Sequence, residues 1–142
     1  MIFLALTALI GALAAPALAN GTTAEPARLT LTFQTESQSG AVLVSLFDSE
    51  AAYAGGAPVR QARVDVGSGQ RTAVFPGLKE GVYAVRAVHD LNGDGRMSSN
   101  PFGRPIEPFA FSNNARGFLG PARWERVRIM VAGETAQTIE IR

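Results

Sequence analysis

A short segment rich in oxygen-bearing side chains is the clearest candidate for chemistry in this chain. Such side chains occupy alternate positions from Asp90 to Asp94, and Gly95 follows them. This D-x-N-x-D-G spacing matches the first half of an EF-hand loop, where carboxylate and amide oxygens surround one Ca²⁺ and the glycine allows a sharp turn. The predicted calcium ligands are Asp90, Asn92, Asp94, the carbonyl of Arg96 and the hydroxyl of Ser98.

The same segment has a second interpretation, an Asx-rich turn without metal. Position twelve of the loop is Pro101 rather than the bidentate Glu of an EF-hand, and no helical pattern flanks the segment. Glu107 is the nearest acid that could fold back and complete the ligand shell. With only two carboxylates in the loop, calcium affinity would be weak, near ~10⁻⁴–10⁻³ M. Asp and Asn also cap their own backbone in turns, which needs no ion.

His89 is the only histidine, and it directly precedes Asp90. This pair makes a metal-assisted or transthyretin-like hydrolase the alternative function. A catalytic metal usually needs several protein ligands and an open position. The chain has no cysteine and no G-x-S-x-G motif, so other nucleophilic arrangements lack support. We therefore expect a protein without enzymatic activity, in which His89 is a packed side chain.

A second candidate site lies further along the chain, at Asn113, Asn114 and Arg116. Two amides and a guanidinium beside Phe111 and Phe118 could bind a polar ligand such as a sugar or a carboxylate. The alternative is that these groups satisfy the backbone of a loop, because buried polar backbone must find partners.

Short strands must position both candidate sites. Apolar and polar residues alternate in runs separated by Gly, Pro, Asn and Asp, which is typical of half-buried strands. One helical turn is possible within 48–56. The pattern predicts an all-β fold for 28–142, an antiparallel seven-stranded immunoglobulin-like or prealbumin-like β-sandwich with one long ordered loop. The predicted strands are 29–33, 42–46, 59–66, 72–76, 81–89, 124–131 and 138–141.

The long loop, 90–122, contains both candidate sites. Loops of this length are uncommon in compact domains and are usually functional or disordered. Its aromatic residues favour an ordered loop that lies over one end or edge of the sandwich and forms a satellite core. Those aromatic residues are Phe102, Phe109, Phe111 and Phe118.

The first residues predict export. Residues 1–19 carry no charge, Pro16 interrupts the apolar run, and Ala17 and Ala19 suit a signal peptidase. We predict a signal peptide at 1–19, a short linker at 20–27 and a periplasmic or secreted protein. An uncleaved anchor, or a start upstream of Met1, is the alternative. No later run predicts a transmembrane helix, and 13 Lys and Arg against 12 Asp and Glu argue against nucleic-acid binding.

Several motifs resemble known families. The segment 75–85 is similar to the F-x-x-L-x-x-G-x-Y-x-V signature of transthyretin-like and carboxypeptidase-regulatory-type sandwiches. The segments 89–96, 103–107 and 111–117 resemble domain-of-unknown-function family 2141. That resemblance covers most of the chain and implies an exported bacterial protein with an immunoglobulin-like or prealbumin-like sandwich and no established activity.

The resemblance also bears on the calcium prediction. The family often carries Asp where this chain has Ser98 or Ser99, and this departure weakens the calcium interpretation. The expected function is that of an exported, non-enzymatic binding or structural module of the bacterial cell envelope. Its expected partner is an envelope protein, a polymer or a small ligand that contacts the long loop.

Overall fold

The computed structural model describes residues 25–142. The predicted signal peptide and most of the predicted linker lie outside these residues. Within them the chain forms eight strands, two α-helices of one turn each and a short 3-10 helix at Ser112–Asn114. The strands are β1 (Ala27–Thr35), β2 (Ala41–Phe47), β3 (Arg60–Asp65), β4 (Thr72–Leu78), β5 (Gly81–Asp90), β6 (Phe109–Phe111), β7 (Ile129–Val131) and β8 (Glu134–Ile141); the helices are α1 (Glu50–Tyr53) and α2 (Trp124–Val127).

The strands form two sheets that share one core. The smaller sheet has the order β4-β1-β8, and the larger has the order β3-β2-β5-β6. β7 pairs with β5 at Gly81–Tyr83, while β6 pairs with β5 further along, at Arg86–Val88. Both sheets contribute apolar side chains to one buried cluster, including Leu31 from the smaller sheet and Val85 from the larger. The predicted all-β class is therefore confirmed.

Two details of the predicted topology are wrong. The predicted antiparallel arrangement fails at one pair, because β1 and β8 run parallel from Arg28↔Glu134 to Thr35↔Ile141. Alternation of apolar and polar residues reports which side chains are buried, but it carries no information on strand direction. The described residues also contain eight strands rather than seven, since β6 lies within the predicted loop. Three residues are too short for a periodic pattern to be recognised.

The predicted sixth strand is shorter than expected. Residues Trp124–Val127 form α2, and only Ile129–Val131 form a strand. Four residues with buried Val127 fit one helical turn as well as a strand, so the apolar spacing is ambiguous over so short a stretch. The helical turn expected within 48–56 is present as α1, whose first turn is capped by the Ser49 hydroxyl.

The outer face of the larger sheet carries a second apolar cluster. Side chains alternate along β5, so Ala84 faces away from the core to which Val85 belongs. α1, α2 and part of the long loop cover this outer face. The cluster consists of Phe47, Tyr53, Ala84, Phe111, Ala122 and Val127, with Phe109 and Trp124 packed against it.

The long loop forms this satellite core with only half of its aromatic residues. Phe109 and Phe111 pack edge to face with ring centroids 5.8 Å apart. Phe102 and Phe118 are instead each 90% exposed, so some of the loop aromatics form the satellite core, as expected, and the others do not. Both exposed residues adjoin a glycine, Gly103 and Gly117 respectively.

Candidate functional site

The candidate metal site begins where β5 ends. Asp90 is the last residue of that strand and is fully buried. Gly40, which precedes β2, packs directly against it: a Cβ at this position would lie 2.4 Å from the Asp90 carbonyl oxygen. Gly40 also adopts a φ of +75°, which favours glycine. The turn before β2 therefore closes over the strand end and helps to bury the Asp90 side chain.

The Asp90 carboxylate accepts hydrogen bonds from the backbone of the loop that follows it. Its Oδ1 accepts a hydrogen bond from the backbone N–H of Gly93 at 2.8 Å, and its Oδ2 accepts one from Gly95 at 2.9 Å. Both glycines have φ values near the left-handed region, 76° and 77°, which the turn requires. Burial raises the pKa of Asp90, but the backbone N–H groups and the charge of Arg63 outweigh it and hold that pKa below its ordinary value.

The Glu107 carboxylate accepts hydrogen bonds from two further backbone groups of the same loop. One oxygen accepts a hydrogen bond from the backbone N–H of Leu91, and the other accepts one from Ser98, both at 3.0 Å. Only 6% of Glu107 is exposed. The fold therefore brings Glu107 to the loop. The sequence analysis named this residue as the acid that could complete a ligand shell there.

The remaining polar side chains of the loop bind one another. Asp94 accepts a hydrogen bond from the backbone N–H of Arg96 at 3.0 Å and one from the Ser98 hydroxyl at 3.2 Å. Asn92 donates to the same hydroxyl at 2.9 Å and accepts from the backbone N–H of Asp94 at 3.1 Å. Asn92, Asp94 and Ser98 thus converge, whereas the calcium ligand predicted at the Arg96 carbonyl stays a prediction.

Three carboxylates meet at this point. Asp90, Asp94 and Glu107 each present an oxygen, and these oxygens lie within 4.8 Å of one another. A carboxylate has about four lone-pair sites, so one backbone hydrogen bond to each oxygen leaves acceptor capacity for a cation. Hard divalent cations such as Ca²⁺ bind carboxylate, amide and hydroxyl oxygens. The arrangement is chemically suited to hold such a cation.

His89 lies apart from this acidic cluster. It is 1% exposed, and its Nε2 lies 2.7 Å from the Ser39 carbonyl oxygen, a contact in which the ring nitrogen donates. Neighbouring residues in a strand point to opposite faces, so the His89 ring lies on the core side and Asp90 on the loop side. The two side chains are not arranged as a catalytic pair.

The second candidate site is largely occupied by structural hydrogen bonds. The Asn113 amide donates to the carbonyls of Arg126 and Arg128, each at 3.0 Å, and accepts from Gln137 at 2.7 Å. The Asn114 amide donates to the Thr138 carbonyl and accepts from the backbone N–H of Glu140. These bonds tie the loop to β8 and α2, as the structural alternative expected.

Arg116 and Asn114 line a cavity. It has a volume of about 170 Å³ and lies beside Phe109 and Phe111. Ligand binding at Asn113, Asn114 and Arg116 stays a prediction. Ser112, next to this set, was missed by the sequence analysis: its buried hydroxyl accepts from the backbone N–H of Val85 and donates to the Val127 carbonyl. One serine in a loop carries no pattern that would reveal such a role.

The two packed sheets and the acidic loop at the end of β5 define an all-β protein with a candidate cation site. Across residues 25–142, no helix combines the length and apolar character needed to cross a membrane. The chain belongs to the family DUF2141, described as an uncharacterized protein conserved in bacteria, whose model matches residues 33–140. This match confirms the resemblance found in the sequence. Comparison with curated proteins and with solved structures gave no significant match.

Proposed function

We propose that this protein is an exported, non-enzymatic binding or structural module of the bacterial cell envelope, stabilised by a weak calcium site in its Asp90–Ser98 loop. In this proposal the sandwich is immunoglobulin-like or prealbumin-like, and the long loop contacts the partner. One observation carries the proposal: two buried carboxylates and a third from the loop converge within 4.8 Å at the end of β5.

Electrostatics supports a cation at this point. Three carboxylate oxygens within 4.8 Å of one another concentrate negative charge at the end of β5, and like charges at this distance repel. Backbone N–H groups offset part of that repulsion. The one ion pair within the described part of the cluster is exposed Arg96 with Asp94, at 4.0 Å, and surface pairs of this kind contribute little. A divalent cation would offset the remainder.

The surroundings of His89 support a non-enzymatic function over the alternative hydrolase. A general base must reach a substrate, whereas His89 is buried and its Nε2 contacts the Ser39 carbonyl. Asp90 accepts hydrogen bonds from the loop backbone on the opposite face of the strand. Replacement His89→Ala tests this alternative, since a hydrolase would lose turnover while its fold persists, and a packed histidine would lose stability.

The exposed apolar side chains of the long loop support a binding function. Phe102, Phe118 and Leu119 are each at least 90% exposed. Exposed apolar surface often marks an interaction site where it is contiguous, and Phe118 and Leu119 are neighbours in the chain. Export rests on the predicted signal peptide. Amino-terminal sequencing of the protein recovered from the periplasm or the medium tests it, with Asn20 as the expected first residue.

Calcium titration tests the metal site directly. A ligand that binds only the folded state stabilises it by RT ln(1 + [L]/Kd), so a ~0.1 mM site gives a clear rise in the thermal midpoint at ~10 mM calcium. The protein is first stripped with a chelator, and Na⁺ at equal ionic strength serves as the control. An unchanged midpoint across the titration contradicts the calcium site and leaves an Asx-rich turn.

A further inference from the structure

Arg86 occupies an unusual place on the outer face of the larger sheet. It lies on β5, in register with Ser45 of β2 on one side and Phe111 of β6 on the other. Because side chains alternate along a strand, Arg86 points away from the core that contains Val85. The elements that cover this face enclose it among apolar and aromatic residues.

The Arg86 guanidinium lacks an anionic partner in the described part of the chain. It lies over the rings of Phe47 and Tyr53, 5.3 and 5.0 Å from their centroids. One terminal nitrogen donates to the Tyr53 carbonyl at 3.2 Å, but the buried Nε has no hydrogen-bond partner. Ion pairs elsewhere join Arg28 to Glu134 and Arg142 to Glu140. A partly buried cation with free donors is costly unless something pairs with it.

Arg86 also lines a cavity of about 340 Å³. Its walls include Met97, Pro105, Phe109 and Pro121, and among the described residues Arg86 is the one charged residue that lines it. Small-molecule sites have volumes of about 300–1,000 Å³, with mostly apolar walls and a few placed polar groups. The cavity meets each of these conditions, and its single cation selects for an anion.

Two of the segments that line the cavity also carry exposed apolar side chains. Gly103 and Gly120 line the cavity, and each is preceded by an apolar residue that is almost fully exposed, Phe102 at 90% and Leu119 at 91%. Exposed apolar side chains therefore adjoin the cavity-lining segments along the chain, and Arg86 supplies the charge. An occupant that matches this distribution has an anionic head and an apolar body.

We propose that the cavity beside Arg86 binds an amphiphilic organic anion, whose carboxylate or phosphate head pairs with the Arg86 guanidinium and whose apolar chain lies between the loop walls. The planar guanidinium can donate two parallel hydrogen bonds to either head group. This site is separate from Asp90, Asp94 and Glu107, so the inference stands without the calcium site.

Binding of decanoate to the full chain tests the proposal. Trp124 is the only tryptophan, and its ring lies 6.1 Å from that of Tyr53, which Arg86 contacts; its fluorescence therefore reports on the site, and calorimetry gives the affinity. We expect saturable binding of decanoate and much weaker binding of decanol, which lacks the charge, and of acetate, which lacks the chain. Decyl phosphate as a further probe distinguishes a phosphate head from a carboxylate.

Two variants locate the binding. Arg86→Gln should weaken decanoate binding by about tenfold or more, the loss expected for a charge-assisted hydrogen bond. Arg60→Gln, which removes an equal charge from an exposed position on β3, should leave it unchanged. Gly120→Leu adds a side chain at the cavity wall, where its Cβ would meet no atom within 4 Å. This variant should also weaken decanoate binding, and it provides a second test if Arg86→Gln fails to fold.

Three results would overturn the proposal. The first is the absence of saturable decanoate binding to the folded wild-type protein. The second is equal affinity for decanol and decanoate, which would make the cavity a plain apolar pocket. The third is wild-type affinity in a folded Arg86→Gln variant or in Gly120→Leu, which would place the ligand elsewhere.

Discussion

The carboxylates of Asp90 and Glu107 hold one loop from two sides. Asp90 accepts hydrogen bonds from N–H groups inside the loop, at Gly93 and Gly95, and Glu107 accepts them from Leu91 and Ser98. Every oxygen of the two buried carboxylates thus has a backbone donor. The loop keeps its shape through these bonds, so a structural role and a metal-binding role can be separated by mutation.

Asp90→Asn is expected to destabilise the protein even in the presence of a chelator. The replacement amide must turn its NH₂ group toward the N–H of either Gly93 or Gly95, so one buried hydrogen bond is lost. The expected cost is about 1–3 kcal/mol in the free energy of unfolding. Urea unfolding in chelator measures it, and wild-type stability for the variant would contradict the role of Asp90.

Asp94→Asn tests metal binding separately from the structural hydrogen bonds of the loop. Its carbonyl can still accept from the Arg96 N–H, and its NH₂ can donate to the Ser98 hydroxyl, so the hydrogen bonds survive and one charge is removed. We expect wild-type stability in chelator and a much smaller rise of the thermal midpoint with calcium. A full calcium response in this variant would exclude Asp94 as a ligand.

The sequence predicts which segments form strands far better than it predicts how those strands pair. Strands such as β1 and β4 bury one face, and burial imposes an alternation that is visible in the residues themselves. The parallel pairing of β1 with β8 depends on contacts between distant segments. So does β6, whose three residues owe their strand conformation to pairing with β5.

The acidic loop is predictable for a different reason. The spacing of its oxygen-bearing side chains from Asp90 to Asp94 is local, so the sequence suffices to locate the loop. The approach of Glu107 is suggested by proximity alone, and its burial depends on how the loop folds back. The environment of Arg86 could not be predicted from the sequence. Alternation places Arg86 on the outer face of β5, but its lack of an anionic partner depends on all the segments that cover that face.

Stability should fall in acid partly because of Asp90. The pKa of Asp90 lies below its ordinary value of 3.8 in the folded state, so the folded protein favours the ionised form. This contribution is complete above 3.8 and is lost as the pH falls through the folded-state pKa. Urea unfolding between neutral pH and a pH well below 3.8, in chelator, should show a steeper loss for wild type than for Asp90→Asn. Parallel curves would contradict the assignment.

Ser112→Ala should be strongly destabilising for so small a change. The buried hydroxyl accepts from the Val85 N–H at 2.9 Å and donates to the Val127 carbonyl at 2.5 Å. Alanine leaves both backbone groups without that partner, at a cost of about 2–4 kcal/mol. Ser68→Ala, at an exposed turn, should change stability by less than about 1 kcal/mol because water replaces its bond. Equal effects of the two changes would contradict the proposed role of Ser112.

Both tyrosines of the chain should ionise at a higher pH than an unperturbed tyrosine. Burial raises the pKa of Tyr53, with a partial offset from Arg86, and burial also raises the pKa of Tyr83, in each case above 10.0. Because the folded state favours the neutral phenol, this stability is complete below 10.0 and is lost as the pH rises through the folded values. Ultraviolet phenolate absorbance should show midpoints above 10.0 while circular dichroism reports a folded chain. A midpoint of 10.0 in the folded protein would contradict burial of these hydroxyls.

Gly117→Ala should disturb the turn that carries the exposed Leu119. A Cβ at Gly117 would lie 1.8 Å from the Gly120 carbonyl oxygen, so the backbone must move. The movement would reach Ala122, whose carbonyl accepts the Tyr53 hydroxyl at 2.6 Å, and a cost of about 1–3 kcal/mol is expected for such overpacking.

Gly120→Ala provides the comparison, because its Cβ meets no atom within 4 Å and the change should be nearly neutral. Thermal unfolding of the two variants measures the difference. If Gly117→Ala were as stable as Gly120→Ala, the close approach of residues 117 and 120 would not exist in solution. The turn would then be free to present Phe118 and Leu119 in other ways.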